Sequence, residues 1–273
     1  MLNKLFIRRA GAAMLIASTI TFSAFRADND GQSDTYLHKI SSPAGQTLLE
    51  YNADKTIRKI VQQHKTENAD YNNVQLPVYE NGRLVKSLLA DDENATTGEL
   101  YTSYDYTPDG DNMAKISYYR NNVVYACDSL VYNAAGKLAF RYQVSKDAQK
   151  DAWENTGYQQ FTWNEDGDIS RMDTYGKQPG YTRFVHTAMV TYTYDNRPNP
   201  QQQHPELAGL MDLNVAHLSA HNIVTESYNS ANSSRVVTST YSYAYNAGKF
   251  PIRGTYTSGV DAAVVKLEWI KLQ

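Results

Sequence analysis

The chain has 273 residues and a net charge of −3, with acids and bases mixed along its length. That balance gives no electrostatic footprint for nucleic acid, so no nucleic-acid partner is expected. Cys127 is the only cysteine, which excludes an intrachain disulfide and leaves the core to hold by packing. Tyrosine is the outlier, with 22 copies against 7 Phe and 3 Trp. Its ring packs on half-buried pleated surfaces while its hydroxyl stays wet.

The first segment reads as an address. "MLNKLFIRR" supplies Lys4, Arg8 and Arg9, and "AGAAMLIASTITFSAF" follows as an apolar stretch too short for a confident span. We expect a signal peptide over residues 1–24, a linker over 25–40 and a single β-repeat domain over 41–273. An uncleaved N-terminal anchor is the alternative. No second run of about 18 apolar residues appears, so no membrane span is expected in the mature chain. The expected location is periplasmic or extracellular, at the cell envelope.

One phrase then recurs. "YNADK" ends at Lys55, "VYENG" at Gly82, "YTPDG" at Gly110, "YNAAG" at Gly136, "WNEDG" at Gly167 and "YDNRP" at Pro198; a shorter "YNAG" ends at Gly248. The spacing is roughly 26–31 residues until a longer gap before the last copy. Each copy is the turn of a hairpin: Asn or Thr opens it and Gly takes a left-handed conformation, a type I turn with a bulge. Strands alternate around these turns. Six residues before the anchors stand Leu49, Leu76, Tyr104, Leu130, Phe161 and Tyr192; four before stand Tyr51, Val78, Tyr106, Tyr132, Trp163 and Tyr194. The residues between them are mostly polar, which is period two and not helical.

The expected fold is therefore all-β: a large antiparallel up-and-down meander of about seven hairpin repeats, curled or barrel-like, with one short helical insert. Closure into a barrel is left open by the pattern. The insert is residues 196–222, where Pro198 cannot take the left-handed turn and Pro205 precedes a short helix in "ELAGLMDL". It is placed to cap one end of the sheet or cover an edge.

The repeated aromatic-x-Tyr-Asp/Asn-x-x-Gly-Lys/Arg-Leu phrase resembles the YD-type repeats of bacterial cell-surface proteins. With "YTYDNRPNP", the insert, "LSAHNIVTESY" and "YSYAYNAGKFP", the chain is similar to a family of exported Bacteroidetes proteins of unknown function with a porin-like fold. The resemblance implies a curled antiparallel sheet and no catalytic residues. Many members look like lipoproteins, whereas this chain has no lipobox cysteine.

Candidate chemistry is sparse. "NEDGDI" from Asn164 has calcium-loop spacing, with Asp166, Ile169 and Asp173 in step, but Thr162 stands first and no helices are expected around it; turn chemistry accounts for these residues. His217 and His221 are spaced for zinc but lack a third ligand, and a solvated loop is expected instead. Asp91 and Asp92 read as loop acids. No motif points to a cofactor, a metal or a nucleophile, so no cofactor is expected.

The expected function is a non-catalytic exported module that binds a glycan, a peptide or an envelope protein. The alternatives are a secreted hydrolase with an unrecognised carboxylate site, and an outer-membrane barrel. The candidate ligand platform is the row of rings at Tyr104, Tyr106, Tyr132, Phe161, Trp163, Tyr192 and Tyr194, set against the plainer reading that they form the core. Oligomeric state is left open.

Overall fold

A computed structural model describes residues 34–65, 70–110, 112–147, 151–177 and 181–272. The expected signal peptide, and residues 25–33 of the expected linker, lie outside the described residues. The remainder of that linker is not a linker but most of a first strand.

The strands run β1 (Thr35–Ser42), β2 (Gly45–Tyr51), β3 (Ile57–Lys65), β4 (Asp70–Glu80), β5 (Arg83–Ala90), β6 (Glu99–Tyr106), β7 (Met113–Arg120) and β8 (Val123–Tyr132). They continue with β9 (Leu138–Asp147), β10 (Ala152–Trp163), β11 (Ile169–Lys177), β12 (Phe184–Pro198), β13 (His221–Ser230), β14 (Val236–Tyr245), β15 (Pro251–Ser258) and β16 (Asp261–Lys271). Each pairs antiparallel with its neighbours in sequence, and β1 pairs with β16 from Thr35↔Lys271 to Ser41↔Lys266. The sheet is thus a closed barrel of sixteen strands among the described residues: seven hairpins turn at the copies of the phrase, as expected, and β1 with β16 makes the eighth pair.

Every copy of the phrase lies at one rim. Lys55, Gly110, Gly136 and Gly167 have φ of 69°, 82°, 70° and 85°, the left-handed turn position read from the sequence. Asn133 shows how the turn closes: its Oδ1 accepts from Ala135 N and Lys137 N, both at 3.0 Å. Two copies differ from expectation. Asn81 and Gly82 are both left-handed, as a two-residue I′ turn requires, which moves the aromatic position from Val78 to Tyr79. In the last copy the left-handed residue is Lys249 (φ 65°), not Gly248, so that copy is full length.

The aromatic residue of the phrase has a specific task. Between successive hairpins the main-chain ladder stops short of this rim; β5 and β6, for example, last pair at Lys86↔Ser103. That leaves carbonyls at the starts of the outgoing strands without a ladder partner. Tyr106 Oη donates to Leu84 O at 2.9 Å, Tyr132 Oη to Met113 O at 2.8 Å, and Trp163 Nε1 to Leu138 O at 2.7 Å. Tyr194 Oη donates to Ile169 O at 2.7 Å. Two rings outside the phrase position do the same: Tyr243 Oη, two residues before Tyr245, donates to Ile223 O at 2.9 Å, and Trp269 Nε1 to Pro251 O at 2.8 Å. Tyr51 Oη does the same for Leu37 O. Each ring packs in the wall while its polar tip finishes the ladder to the preceding hairpin.

The insert plugs the same rim. It forms a short 3₁₀ turn (Pro200–Gln203), helix α1 (Glu206–Leu210), which starts just after Pro205, and helix α2 (Val215–Leu218). Leu207, Leu210, Leu213 and Val215 are buried in one cluster with inward wall residues Leu49, Ile57, Ile60, Leu84, Ile116, Leu138, Ile169 and Val190. Gly209 lets α1 lie close to the wall: a Cβ there would sit 2.8 Å from Met113 Sδ and 3.1 Å from Tyr104 Cε1. The insert was expected to be solvated around His217. Instead His217 is 8% exposed, because the apolar side chains around it are drawn into the lumen.

Polar side chains face outward. Arg58 and Glu50 pair on the outer wall at 2.5 Å, while Ile57 and Ile60 of the same strand are buried inside. Outside β3 to β5, the loop after Ala90 is held by Lys59 Nζ, which donates to Glu93 O at 2.9 Å. Beneath it Val61, Val74 and Leu76 form a small separate cluster. Asp92 caps this loop, accepting from Asn94 N at 2.8 Å.

Candidate binding cavity

The plug fills only the turn-rich half of the lumen. Above it lies a cavity of about 710 Å³, open toward the other rim, lined by Gln62, Asn73, Tyr101, Tyr118, Arg141 and Gln143 among others, with Gly209 to Asp212 as its floor. The alternation that buries Leu49 and Ile60 near the turns puts Gln62 on the same inner face further up, and Gln62 pairs across with Asn73.

The deepest polar ring is hydrogen-bonded from residue to residue and ends on the plug. Gln75 Nε2 donates to Ser87 Oγ at 3.1 Å, Ser87 Oγ lies 2.6 Å from Thr102 Oγ1, and Thr102 Oγ1 donates to Tyr104 Oη at 2.8 Å. Tyr104 Oη reaches the plug at Gly209 O, 3.4 Å away. Burial pushes the Tyr104 phenol up to about 12, with the hydrogen bonds from Thr102 and Ser87 pulling the other way.

Beside this ring an ion pair joins wall to plug. Asp128 (3% exposed) accepts from Arg141 Nε at 2.8 Å and from Tyr118 Oη at 2.7 Å. Arg141 (7% exposed) also reaches Asp212 Oδ1 with Nη2 at 2.7 Å, and Asp212 O with Nη1 at 3.3 Å. Burial works against the guanidinium charge, but Asp128 and Asp212 more than offset it, so Arg141 is held more firmly protonated than a free arginine. Burial first, and then the Asp128 carboxylate, raises the Tyr118 phenol. The Asp212 side chain itself is 83% exposed on the cavity floor.

The seven rings singled out in the sequence do not form an exposed face. Tyr104, Phe161 and Tyr192 are buried in the core cluster, and Tyr106, Tyr132, Trp163 and Tyr194 pack against it. Of the metal candidates, Asp166 and Asn164 sit in a turn in which Asn164 Oδ1 accepts from Asp168 N at 2.8 Å. Asp173 lies on the wall strand β11 and accepts from Arg171 at 2.6 and 2.7 Å and lies 2.8 Å from His186 Nε2. His221 Nδ1 lies 2.9 Å from Asp168 Oδ2. No group of three metal-ligating side chains occurs among the described residues.

Sequence reading missed two features. Arg141 was not among the candidate site residues; its partners lie 13 and 71 residues away, with no local signal. It also missed a row of rings on the outer wall, where Phe140, Tyr142, Tyr158 and Tyr175 follow one another across β9 to β11. Tyr158 and Tyr175 stack at 4.5 Å and 9°. They occupy the face opposite Arg141 and Gln159, which pair across the same two strands.

Among solved structures, the chain is similar to one described as a porin-like protein from Bacteroides uniformis ATCC 8492, with a TM-score of 0.54 and 12% identity over 87% of this chain and 96% of that one. A porin-like protein from Bacteroides vulgatus ATCC 8482 gives 0.43 and 13%, over 86% and 98%. A chain of TcdB2-TccC3 gives 0.32 and 13%, over 79% and 13%. The sequence matches no family model and no curated protein. At 12% identity the likeness to the Bacteroides uniformis protein is one of fold, spanning nearly the whole of both chains.

Proposed function

We propose that this chain is an exported, non-catalytic binding module of the cell envelope, and that it takes its ligand into the half-plugged lumen. The carrying observation is the cavity of about 710 Å³, which lies within the range of about 300–1,000 Å³ typical of small-molecule sites. One end is stopped by α1 and α2, which makes the space a cup and not a channel. The carboxylates at its floor, Asp128 and Asp212, are both paired with one guanidinium, an arrangement that ties the wall to the plug. The outer wall supports an aqueous setting. A lipid-facing wall needs an apolar band about 25 Å tall around the whole barrel, whereas here pairs such as Arg58–Glu50 and Arg171–Asp173 stand outside and the row of rings spans only β9 to β11.

The test has two arms. Cell fractionation should find the mature barrel in the periplasmic or extracellular fraction; an integral outer-membrane fraction would overturn the aqueous setting. Thermal shift against envelope glycans and peptides should find a ligand that raises Tm of the wild type and not of Gln143→Trp, which fills the cup. At a hundred times Kd the stabilisation is about 2.7 kcal/mol. A ligand that stabilises both proteins alike overturns the cup, and turnover of the ligand overturns the non-catalytic reading.

A further inference from the structure

Resting on that reading, we infer that the cup takes a neutral oligosaccharide. Charge narrows the choice first. Arg141 is the one cationic side chain among the described residues that line the cup, and it already holds Asp128 and Asp212. The floor therefore carries a net charge of −1, with the Asp212 carboxylate facing the open space. A phosphate, a uronate or a peptide C-terminus would meet no free cation there and would meet one exposed anion.

Hydrogen-bonding capacity narrows it further. The side-chain amides of Gln62, Asn73 and Gln143 and the hydroxyl of Tyr101 face the cavity. None of them makes a side-chain hydrogen bond among the described residues, in contrast to the hydrogen-bonded Gln75–Ser87–Thr102–Tyr104 ring beneath them. Each amide offers two N–H donors and a carbonyl acceptor, and Tyr101 offers one of each. Groups that both donate and accept at neighbouring positions match the vicinal hydroxyls of a sugar. The rings of Tyr101, Tyr118 and Tyr125 line the same cavity, and the Arg120 guanidinium lies 4.8 Å from the centre of the Tyr125 ring. Such rings give the apolar C–H face of a pyranose a surface to lie on. The wide mouth lets the rest of a glycan chain run out to solvent, so the cup holds a chain end.

The test uses the full chain, titrated by calorimetry with neutral tri- and tetrasaccharides of β-1,4-glucose, α-1,4-glucose, β-1,4-mannose and β-1,4-N-acetylglucosamine, with matched uronate oligomers, and with tetrapeptides. At least one neutral oligomer should bind, and the uronates should bind at least tenfold more weakly. Asn73→Leu with Gln143→Leu should lower that affinity at least tenfold at unchanged Tm. Tyr101→Phe, which removes one hydroxyl and no volume, should lower it severalfold even where the double variant folds poorly. Asp212→Asn should narrow the gap between neutral and acidic oligomers. If peptides or uronates bind best and the same variants weaken them, the cup stands and the saccharide falls. If a neutral oligomer binds but ignores all three variants, the cup falls as its site. If no probe of any class binds, both fall.

Discussion

At the plugged rim, seven aromatic side chains donate to main-chain carbonyls, and Leu207, Leu210, Leu213 and Val215 fill the space between them. A few residues further along the same strands, Gln62, Asn73 and Gln143 line open space. The strands are continuous, with bulges beside many of the turns, and the two halves differ in which side chains the inward positions carry. The turn half is specified for stability: its ring tips are tied to main-chain carbonyls, though Tyr79 Oη and His217 Nδ1 are buried there with no hydrogen-bond partner among the described residues. The mouth half keeps its donors and acceptors for something else. A barrel of this width needs a filler at one end to have a core at all, and the insert supplies it.

Mutations in the two halves should therefore differ sharply. Trp163→Ala removes a latch and a ring packed on the core, and should cost about 3–5 kcal/mol by urea denaturation, whereas Gln143→Leu at the mouth should cost under about 0.5 kcal/mol. Equal costs would erase the distinction between the halves.

The plug carries a pH sensitivity that the mouth lacks. Burial lowers the His217 ring to about 4 in the folded protein, against 6.5 when free. The unfolded chain binds the extra proton first, so the contribution is complete above pH 6.5 and is lost as pH falls toward 4. The loss should approach about 3 kcal/mol. Urea midpoints at pH 7.0, 5.5 and 4.5 should show it in the wild type, and His217→Leu should remove that part of the slope.

The turns provide the smallest and most local test. Gly136 has φ 70° and a Cβ there would meet nothing within 4 Å, so Gly136→Val should cost only backbone strain, about 1–2 kcal/mol. Lys55 bears that strain already at φ 69°, and Lys55→Gly should raise the urea midpoint by up to about 1 kcal/mol equivalent. Midpoints that move in the reverse order would break the equivalence of the two turns.

Much of the plugged half was legible from sequence because its information is local. The left-handed positions at Lys55, Gly110, Gly136 and Gly167 follow from turn chemistry, and the aromatic residues before them from alternation. The two misread copies had equally local causes. Asn81-Gly82 makes a two-residue turn, and Lys249 takes the conformation that its neighbour Gly248 was expected to take. The mouth-side turns were harder. Asn121 and Asn122 are both left-handed, yet no repeated phrase marks them. The pairing of β1 with β16 joins residues more than 220 apart and has no local signal. The cup was not legible. Periodicity separates two faces of a strand without saying which encloses the lumen, and the Asp128–Arg141–Asp212 contact exists only once plug and wall have met.

The seam between β1 and β16 bears on how the chain could be rewired. Leu272 N donates to Asp34 O at 3.0 Å, so the two ends of the barrel meet side by side. Around the circumference, this pair stands where a hairpin would, with the two chain ends in place of its turn, and Trp269 latches it to the preceding hairpin as Tyr132 or Tyr194 do elsewhere. The order of the units along the chain is then a matter of genetic bookkeeping and not of architecture. A circular permutant that joins the ends with a short linker and opens the exposed Asn121–Asn122 turn would retain all sixteen strand pairings.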